Sequence, residues 1–123
     1  MEPIYKECYR RMKEFTSNTS EEDLVNLYAK WAPTFDKHAD DTGYIGPIVA
    51  AEQLHEKLVQ FNYNQDIEIL DLGCGSGLVG EHLLNLGYKN ADGIDISEEM
   101  LKVSERKGVY RSLKKDHGIR WIS

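Results

Sequence analysis

Two aspartates and a set of glycines at alternate positions are the residues best suited to chemistry. Asp71 is followed by Gly73, Gly75 and Gly77, and a second acid, Asp95, comes later in the chain. Glycine adopts positive φ and carries no Cβ that would keep a ligand away from the backbone. Carboxylates accept hydrogen bonds from hydroxyls and attract cations. The pattern therefore predicts a ligand site made of exposed backbone and two acids.

The residues around the glycines predict a strand, a tight turn and a helix. Apolar residues dominate positions 67–72, and leucines and a valine recur at helical spacing over 78–86. Such a turn directs the N–H groups of a helix start to the carboxyl end of a strand, where open α/β sheets bind ligands. A second strand over 91–96 and a helix beginning at Ser97 complete a β-α-β-α order, which implies parallel strands.

The residues before the glycine turn predict helices. We expect one helix over 4–15, a second between Ser20 and Pro33, and a third beginning at Pro47. Residues 34–46 carry several aspartates and glycines, and they predict a loop with a helical turn.

Two glycine fingerprints overlap, and they suggest different ligands. Gly75 to Gly80 match G-x-G-x-x-G, with Asp95 to hold a ribose, which indicates a nicotinamide dinucleotide. Asp71 begins a different pattern, and its carboxylate would repel a pyrophosphate by about 1–4 kcal/mol. S-adenosylmethionine has an ammonium and a sulfonium but no phosphate, so Asp71 favours it and leaves an NAD-binding oxidoreductase as the remote alternative. A loop or helix-cap hydrogen bond is the alternative role for Asp71.

The residues after the second strand predict the contacts of the nucleoside. Asp95 is expected to accept both ribose hydroxyls, and its alternative role is to cap the next helix, for which Ser97 competes. Ile96 and Met100 would border the adenine with apolar surface. For Met100 alone, packing in the core is the favoured interpretation.

Residues 69–77, followed by 93–101, resemble class I S-adenosylmethionine-dependent methyltransferases. Residues 28–36 are also similar to the N-terminal segment of that superfamily. The resemblance implies an α/β, Rossmann-like methyltransferase fold with an N-terminal helical cap over the cofactor. It places the glycines at the methionine portion, with Tyr28 and Trp31 close by as cap residues or, alternatively, as a buried aromatic face. The implied cofactor-binding residues are Tyr28, Trp31, Asp71, Gly73, Cys74, Gly75, Gly77, Asp95, Ile96 and Met100.

The chain departs from the family pattern near its end. The pattern predicts the N-terminal half of the fold only: a cap over 1–46, a partial Rossmann-like domain over 47–113 and a non-family tail over 114–123. We expect the sheet to end after two strands, with an open edge and an uncovered face on the first strand. Asp116 is the one candidate for the acid that such enzymes offer to the adenine amine. The sequence thus predicts an incomplete methyltransferase or, alternatively, a non-catalytic fragment that binds the cofactor weakly.

Composition restricts the partners that we expect. The formal charge of −6 argues against a surface that coats nucleic acid, and no apolar run reaches the length of a membrane span. Cys8 and Cys74 form no metal-binding pair, so neither a zinc site nor a disulfide framework is predicted. The N-terminus lacks the apolar region of a signal peptide, which predicts a cytoplasmic or nuclear protein.

No residue stands out as a general base. The four histidines, His38, His55, His82 and His117, are scattered along the chain, and we expect each of them on a surface or a helix face. The methyl acceptor, a small molecule or a protein, is therefore not predicted from the sequence, and neither is the oligomeric state.

Overall fold

A computed structural model describes residues 2–116. The helices and strands follow one another in the order α1 (Ile4–Lys13), α2 (Glu21–Trp31), a 3₁₀ turn (Ala32–Thr34), α3 (Phe35–Thr42), α4 (Gly46–Gln60), β1 (Ile69–Leu72), α5 (Leu78–Asn85), β2 (Ala91–Asp95), α6 (Glu98–Lys107) and β3 (Ser112–Lys115).

The sheet has three parallel strands in the order β1-β2-β3, with Ile69 opposite Ala91 and Gly93 opposite Leu113. The prediction of a short parallel sheet is confirmed, but the expected end after two strands is wrong. In β3, Leu113 is half-buried, whereas the serine and both lysines are exposed. An edge strand needs little apolar sequence because backbone pairing to β2 holds it. The possible surrogate strand over 119–123 lies outside the described residues.

Strand β1 presents one face to the core and the other to solvent. Ile69 packs against the core formed by α4 and α5, whereas Leu70 and Leu72 are 53% and 46% exposed. Within residues 2–116, β1 pairs with β2 alone. The predicted uncovered face and open edge of the first strand are therefore confirmed for the described part of the chain.

The cap has its own small core. Tyr5 and Cys8 of α1 pack against Leu27 and Trp31 of α2. As predicted, α2 begins after Ser20, whose hydroxyl accepts a hydrogen bond from the Asp23 N–H at 3.1 Å.

The segment predicted as a loop with a helical turn forms an eight-residue helix, α3, so the prediction is wrong in how far the helix extends. Its sequence is polar, but Phe35 packs against the cap core and Ala39 is buried. Tertiary packing of these few apolar residues outweighs the weak helix preference of the aspartates. Gly43, with φ of +66°, ends the helix in the left-handed conformation.

A second core joins the remaining helices to the sheet. Ala51 and Leu58 of α4 pack against Leu83 of α5 and Tyr88. In the described part of the chain, no helix combines the length and the apolar character needed to cross a membrane.

Candidate functional site

The glycine turn leaves open space beside its backbone. Gly73 and Gly75 have φ of +74° and +53°, and no atom lies within 4 Å of the position that a Cβ would take. The N–H groups of Gly73 and Cys74 both donate to the Ile94 carbonyl, at 2.8 and 3.0 Å, and so fix the turn to β2. A ligand can therefore approach the main chain here without displacing a side chain.

The Gly75 peptide is held from both sides. Its N–H donates to Asp95 Oδ2 at 2.8 Å, and its carbonyl accepts from the hydroxyl of Ser104 at 2.6 Å. Ser104 is fully buried on α6, one helical turn after Met100. Sequence reasoning missed Ser104, although a serine on the apolar face of a helix was a usable signal. These contacts fix the turn in place before any ligand arrives.

Asp95 joins the turn to the start of α6. Its Oδ1 accepts from the Ser97 N–H at 2.8 Å, while Ser97 caps the helix by accepting from the Met100 N–H at 3.2 Å. Ser97 thus takes the cap role that was the alternative for Asp95. Each carboxylate oxygen has a second lone pair, so Asp95 retains acceptor capacity for a ribose, and that role stays a prediction.

The two apolar residues predicted at the adenine differ in exposure. Met100 is buried in the core, in keeping with the packing role favoured for it, and Ile96 is half-buried. Asp116 directly follows β3, and its N–H donates to the Asp95 carbonyl at 3.1 Å. The chain thus carries an acid at the end of the third strand, although its role toward an adenine remains a prediction.

Asp71 has a partner within the protein. Its Oδ2 accepts from the Tyr110 hydroxyl at 2.5 Å, so the loop hydrogen bond considered for Asp71 is present. Burial raises the pKa of Asp71; the bond from Tyr110 opposes that shift, and the charge of Asp95 adds to it. The two carboxylates are close enough to repel each other. A cation beside them would relieve that repulsion.

Tyr110 also caps helix α5 from a distance. The helix begins after Gly77, with φ of +91°, which has no side chain to act as a cap. The Tyr110 hydroxyl instead accepts from the Gly80 N–H at 3.2 Å. A Cβ on Gly80 would lie 2.5 Å from Tyr110 Cζ. The last glycine of the apparent dinucleotide fingerprint is therefore required here by the packing of a tyrosine and needs no phosphate to explain it.

Cys74 is a packing residue in the turn. Burial raises the pKa of its thiol to about 12, and the charges of Asp95 and Asp71 add to the shift. A Cβ on Gly93 would come within 2.8 Å of its sulfur, so the turn packs closely on β2 there. A neutral, buried thiol is a poor nucleophile, so Cys74 is not a candidate for catalysis, and its predicted place at the cofactor stays a prediction.

A polar cluster connects the cap to the glycine turn; we call it the cap junction (Asp36, Ser76, Glu81, Lys107). The Ser76 hydroxyl donates to Asp36 Oδ1 at 2.5 Å. The Lys107 ammonium contacts Asp36 Oδ2 and lies 3.6 Å from Glu81 Oε1. Sequence reasoning missed this junction because α3 was assigned as a loop. The junction holds the cap against the turn and the first helix that follows it.

The two predicted cap aromatics occupy different surroundings. Trp31 is buried in the cap core, where it stacks with Tyr28 at 5.9 Å and with His38 at 5.4 Å between ring centroids. Tyr28 is half-buried, and its pKa is raised by burial and then by the charge of Asp95. Trp31 thus fits the buried aromatic face considered for it, whereas Tyr28 is only half-buried and its role at the cofactor stays a prediction.

The histidines do not converge on the turn in the described part of the chain. His55 Nδ1 bonds the Tyr88 hydroxyl at 2.7 Å in the α4–α5 core, and His38 stacks among the cap aromatics. His82 lies in the last turn of α5, and His117 falls outside the described residues.

The arrangement at the turn fits S-adenosylmethionine. Open backbone at Gly73 and Gly75 lies beside two carboxylates, Asp71 and Asp95, whose mutual repulsion a cationic ligand relieves. A pyrophosphate in the same place would add further negative charge. Asp95 also offers the acceptors that ribose hydroxyls need.

Comparisons with known proteins agree with this geometry. Residues 69–120 match the family described as "Methyltransferase domain". Methyltransferase-like protein 27 of Homo sapiens is 32% identical over 89 residues, covering 72% of this chain and 36% of the relative. The ubiquinone biosynthesis O-methyltransferase of Hydrogenovibrio crunogenus is 35% identical over 66 residues, covering 53% and 27%.

A solved structure supports the same fold. The crystal structure of an S-adenosylmethionine-dependent methyltransferase from Clostridium acetobutylicum superposes with a TM-score of 0.53 at 27% identity, covering 69% of this chain and 36% of that one. The chain therefore spans about a third of the length of the human protein and of the Clostridium protein. Residues 28–36, together with residues 40–47, resemble the methyltransferase-like protein of the Williams–Beuren syndrome region. The geometry of the turn and the comparisons agree in making the chain similar to class I S-adenosylmethionine-dependent methyltransferases, and S-adenosylmethionine is the cofactor that this similarity implies.

Proposed function

We propose that the glycine turn binds S-adenosylmethionine, and that the protein containing this chain transfers the sulfonium methyl group to an acceptor. The open backbone at Gly73 and Gly75, flanked by two carboxylates, is the observation that carries the proposal. Asp71 would attract the cationic methionine end, and Asp95 would accept from the ribose. Ile96 would border the adenine.

The bound cofactor supplies an electrophilic methyl group: an acceptor lone pair bonds to that carbon, the C–S electron pair stays on sulfur to give S-adenosylhomocysteine, and the acceptor proton leaves to solvent. The residues of this chain contribute position. Asp95 and Ser104 fix the Gly75 peptide, and the cap junction holds the cap over the turn. No side chain is assigned as a base, so we expect the acceptor to lose its proton without help from this chain.

A second candidate is that residues 1–123 alone hold the cofactor weakly and transfer nothing. The exposure of Leu70 and Leu72 favours it, because an apolar face beside an edge that is unpaired within residues 2–116 is marginally stable in water. The two candidates share the cofactor site and differ in affinity and turnover. The acceptor, a small molecule or a protein, belongs to the first candidate alone.

Isothermal titration calorimetry with S-adenosylmethionine and with NAD⁺ tests both candidates. We expect micromolar binding of S-adenosylmethionine, weakened about tenfold or more by Asp95→Ala, which removes the ribose acceptor. Asp40→Ala, an exposed acid on α3, is the control and should bind as the parent does. Millimolar affinity favours the second candidate, and tighter binding of NAD⁺ overturns the proposal.

A further inference from the structure

We infer that a cavity inside the cap is the acceptor site, and that it takes a planar aromatic molecule that is neutral or anionic. The inference rests on the proposed function for the methyl transfer, but binding to the cavity is a separate property of the chain. Its volume is about 1220 Å³, and the residues that line it lie between positions 5 and 46. Small-molecule sites usually enclose about 300–1,000 Å³, so an acceptor of several rings can enter.

Seven of the sixteen residues that line the cavity carry an aromatic ring. Two pairs are stacked nearly parallel: Tyr28 on Trp31, at an interplanar angle of 9°, and Tyr5 on His38, at 10°. Stacking covers one face of each of these rings, so the half-buried Tyr28 and the exposed Tyr9 and Tyr44 are the rings left to contact a flat ligand. The rings in the wall are those of Tyr5, Tyr9, Tyr28, Trp31, Phe35, His38 and Tyr44.

The charges around the cavity decide between ligand classes. Aromatic faces alone attract cations. Here, however, the wall carries two cations, Lys6 and Arg10, against one carboxylate, Asp41; Glu2 pairs with Arg10 at 2.7 Å, so Lys6 supplies the excess positive charge. Asp41 Oδ2 is also engaged by the Lys37 ammonium and the Tyr5 hydroxyl, each at 2.9 Å. An amine therefore meets net repulsion at this wall, whereas a carboxylate or a phenol does not.

The wall contains a donor that lacks an acceptor. The indole N–H of Trp31 is buried and makes no hydrogen bond among residues 2–116. A buried donor without a partner is costly, and because this nitrogen is closed off from solvent, an occupant bonds it only after the neighbouring rings move. The wall also adjoins the glycine turn, because Phe35 of the wall precedes Asp36, whose carboxylate accepts from the Ser76 hydroxyl in the turn. The cavity and the turn are therefore held together by neighbouring residues of the cap.

Binding of three naphthalenes to the chain without cofactor tests the inference. The probes are 3-hydroxy-2-naphthoate, 2-naphthol and 2-naphthylmethylammonium, which share a ring system and differ in charge. The chain has two tryptophans, so Trp121→Phe leaves Trp31 with the single indole N–H resonance. We expect the naphthoate and the naphthol to bind and to shift that resonance, and the ammonium to bind at least about fivefold more weakly.

Matched variants locate the probe. Tyr44 in the cavity wall and Tyr63 outside it are 59% and 57% exposed, so neither substitution by alanine disturbs a core. Tyr44→Ala should weaken binding of the naphthoate about threefold to tenfold, and Tyr63→Ala should leave that binding unchanged. Lys6→Glu should weaken binding of the naphthoate and leave binding of the uncharged naphthol unchanged.

Three results would overturn the inference: an unchanged Trp31 resonance at millimolar probe, equal losses in Tyr44→Ala and Tyr63→Ala, or tightest binding of the ammonium. Because no cofactor is present, these outcomes leave the proposed function standing if S-adenosylmethionine still binds in a separate titration. Conversely, a chain that binds the naphthoate but does not bind S-adenosylmethionine would support the ligand site in the cavity and refute the cofactor site at the turn.

Discussion

Replacing Lys107 by methionine tests whether the cap junction stabilises the fold. The Lys107 side chain is 15% exposed, and its partners Asp36 and Glu81 are 35% and 39% exposed. Methionine keeps most of the length of the apolar stem but removes the charge. Asp36 and Glu81 then face each other without a cation, while the Ser76 hydroxyl still donates to Asp36.

The exposed fractions of these three side chains set limits on the loss of stability that we expect. Removing one partner of a fully buried ion pair costs about 3–5 kcal/mol, and an exposed pair contributes about 0–1 kcal/mol. The ammonium is mostly buried but its partners are in partial contact with solvent, so screening reduces the buried value. We expect Lys107→Met to lower the free energy of unfolding by about 1–2 kcal/mol.

Urea unfolding of the parent chain, Lys107→Met, Asp36→Asn and the double variant gives the coupling between the two groups. We predict a coupling of about 1 kcal/mol. Lys30→Met is the control, because Lys30 pairs with Glu7 across two helices but both side chains are largely exposed, and its midpoint should not change measurably. A coupling below about 0.3 kcal/mol would mean that the junction behaves as an ordinary surface pair.

Three further predictions concern the turn. Tyr110→Phe leaves the Gly80 N–H without its acceptor and should lower the free energy of unfolding by about 1–2 kcal/mol in urea; a value equal to that of the exposed Tyr63→Phe would contradict the capping role. Burial raises the pKa of the Cys74 thiol to about 12, so at pH 8 it should react with iodoacetamide on the order of 100-fold more slowly in the native chain than in urea. Peptide mass spectrometry measures the two rates, and similar rates would refute the burial of the thiol. Because the pKa of Asp71 is raised above 3.8, its contribution to stability is present at low pH and lost as the pH rises through the folded pKa. Asp71→Asn should therefore raise Tm at pH 7, with a gain that shrinks toward pH 4, and should weaken S-adenosylmethionine binding; a lower Tm at pH 7 would contradict the assignment.

Local sequence signals were sufficient for the parts of the fold that local physics determines. Ser20 and Ser97 were identified as helix caps from residue type alone, and both hydroxyls accept the expected backbone N–H. The alternating glycines predicted a turn at positive φ, which Gly73, Gly75 and Gly77 adopt. In each case, the deciding interaction lies within a few residues of the signal.

The features that were missed depend on contacts between distant parts of the chain. Strand β3 exists because its backbone pairs with β2, and its exposed lysines gave no apolar pattern. Tyr110 acts on Gly80 and Asp71 from the connection after α6. Lys107 and Asp36 meet only after the cap has packed on α6. A periodicity argument on one sequence does not contain such pairings.

Titration of the glycine-labelled chain with S-adenosylmethionine, followed by ¹H–¹⁵N NMR, tests the cofactor site most directly. The chain has 10 glycines, and Gly43 and Gly108 match Gly73 and Gly75 in having positive φ and open space where a Cβ would lie. We predict that the resonances of Gly73 and Gly75 shift most and that those of Gly43 and Gly108 stay in place. Shifts at Gly43 or Gly108, with Gly73 and Gly75 unchanged, would contradict the claim that the turn after β1 holds the cofactor.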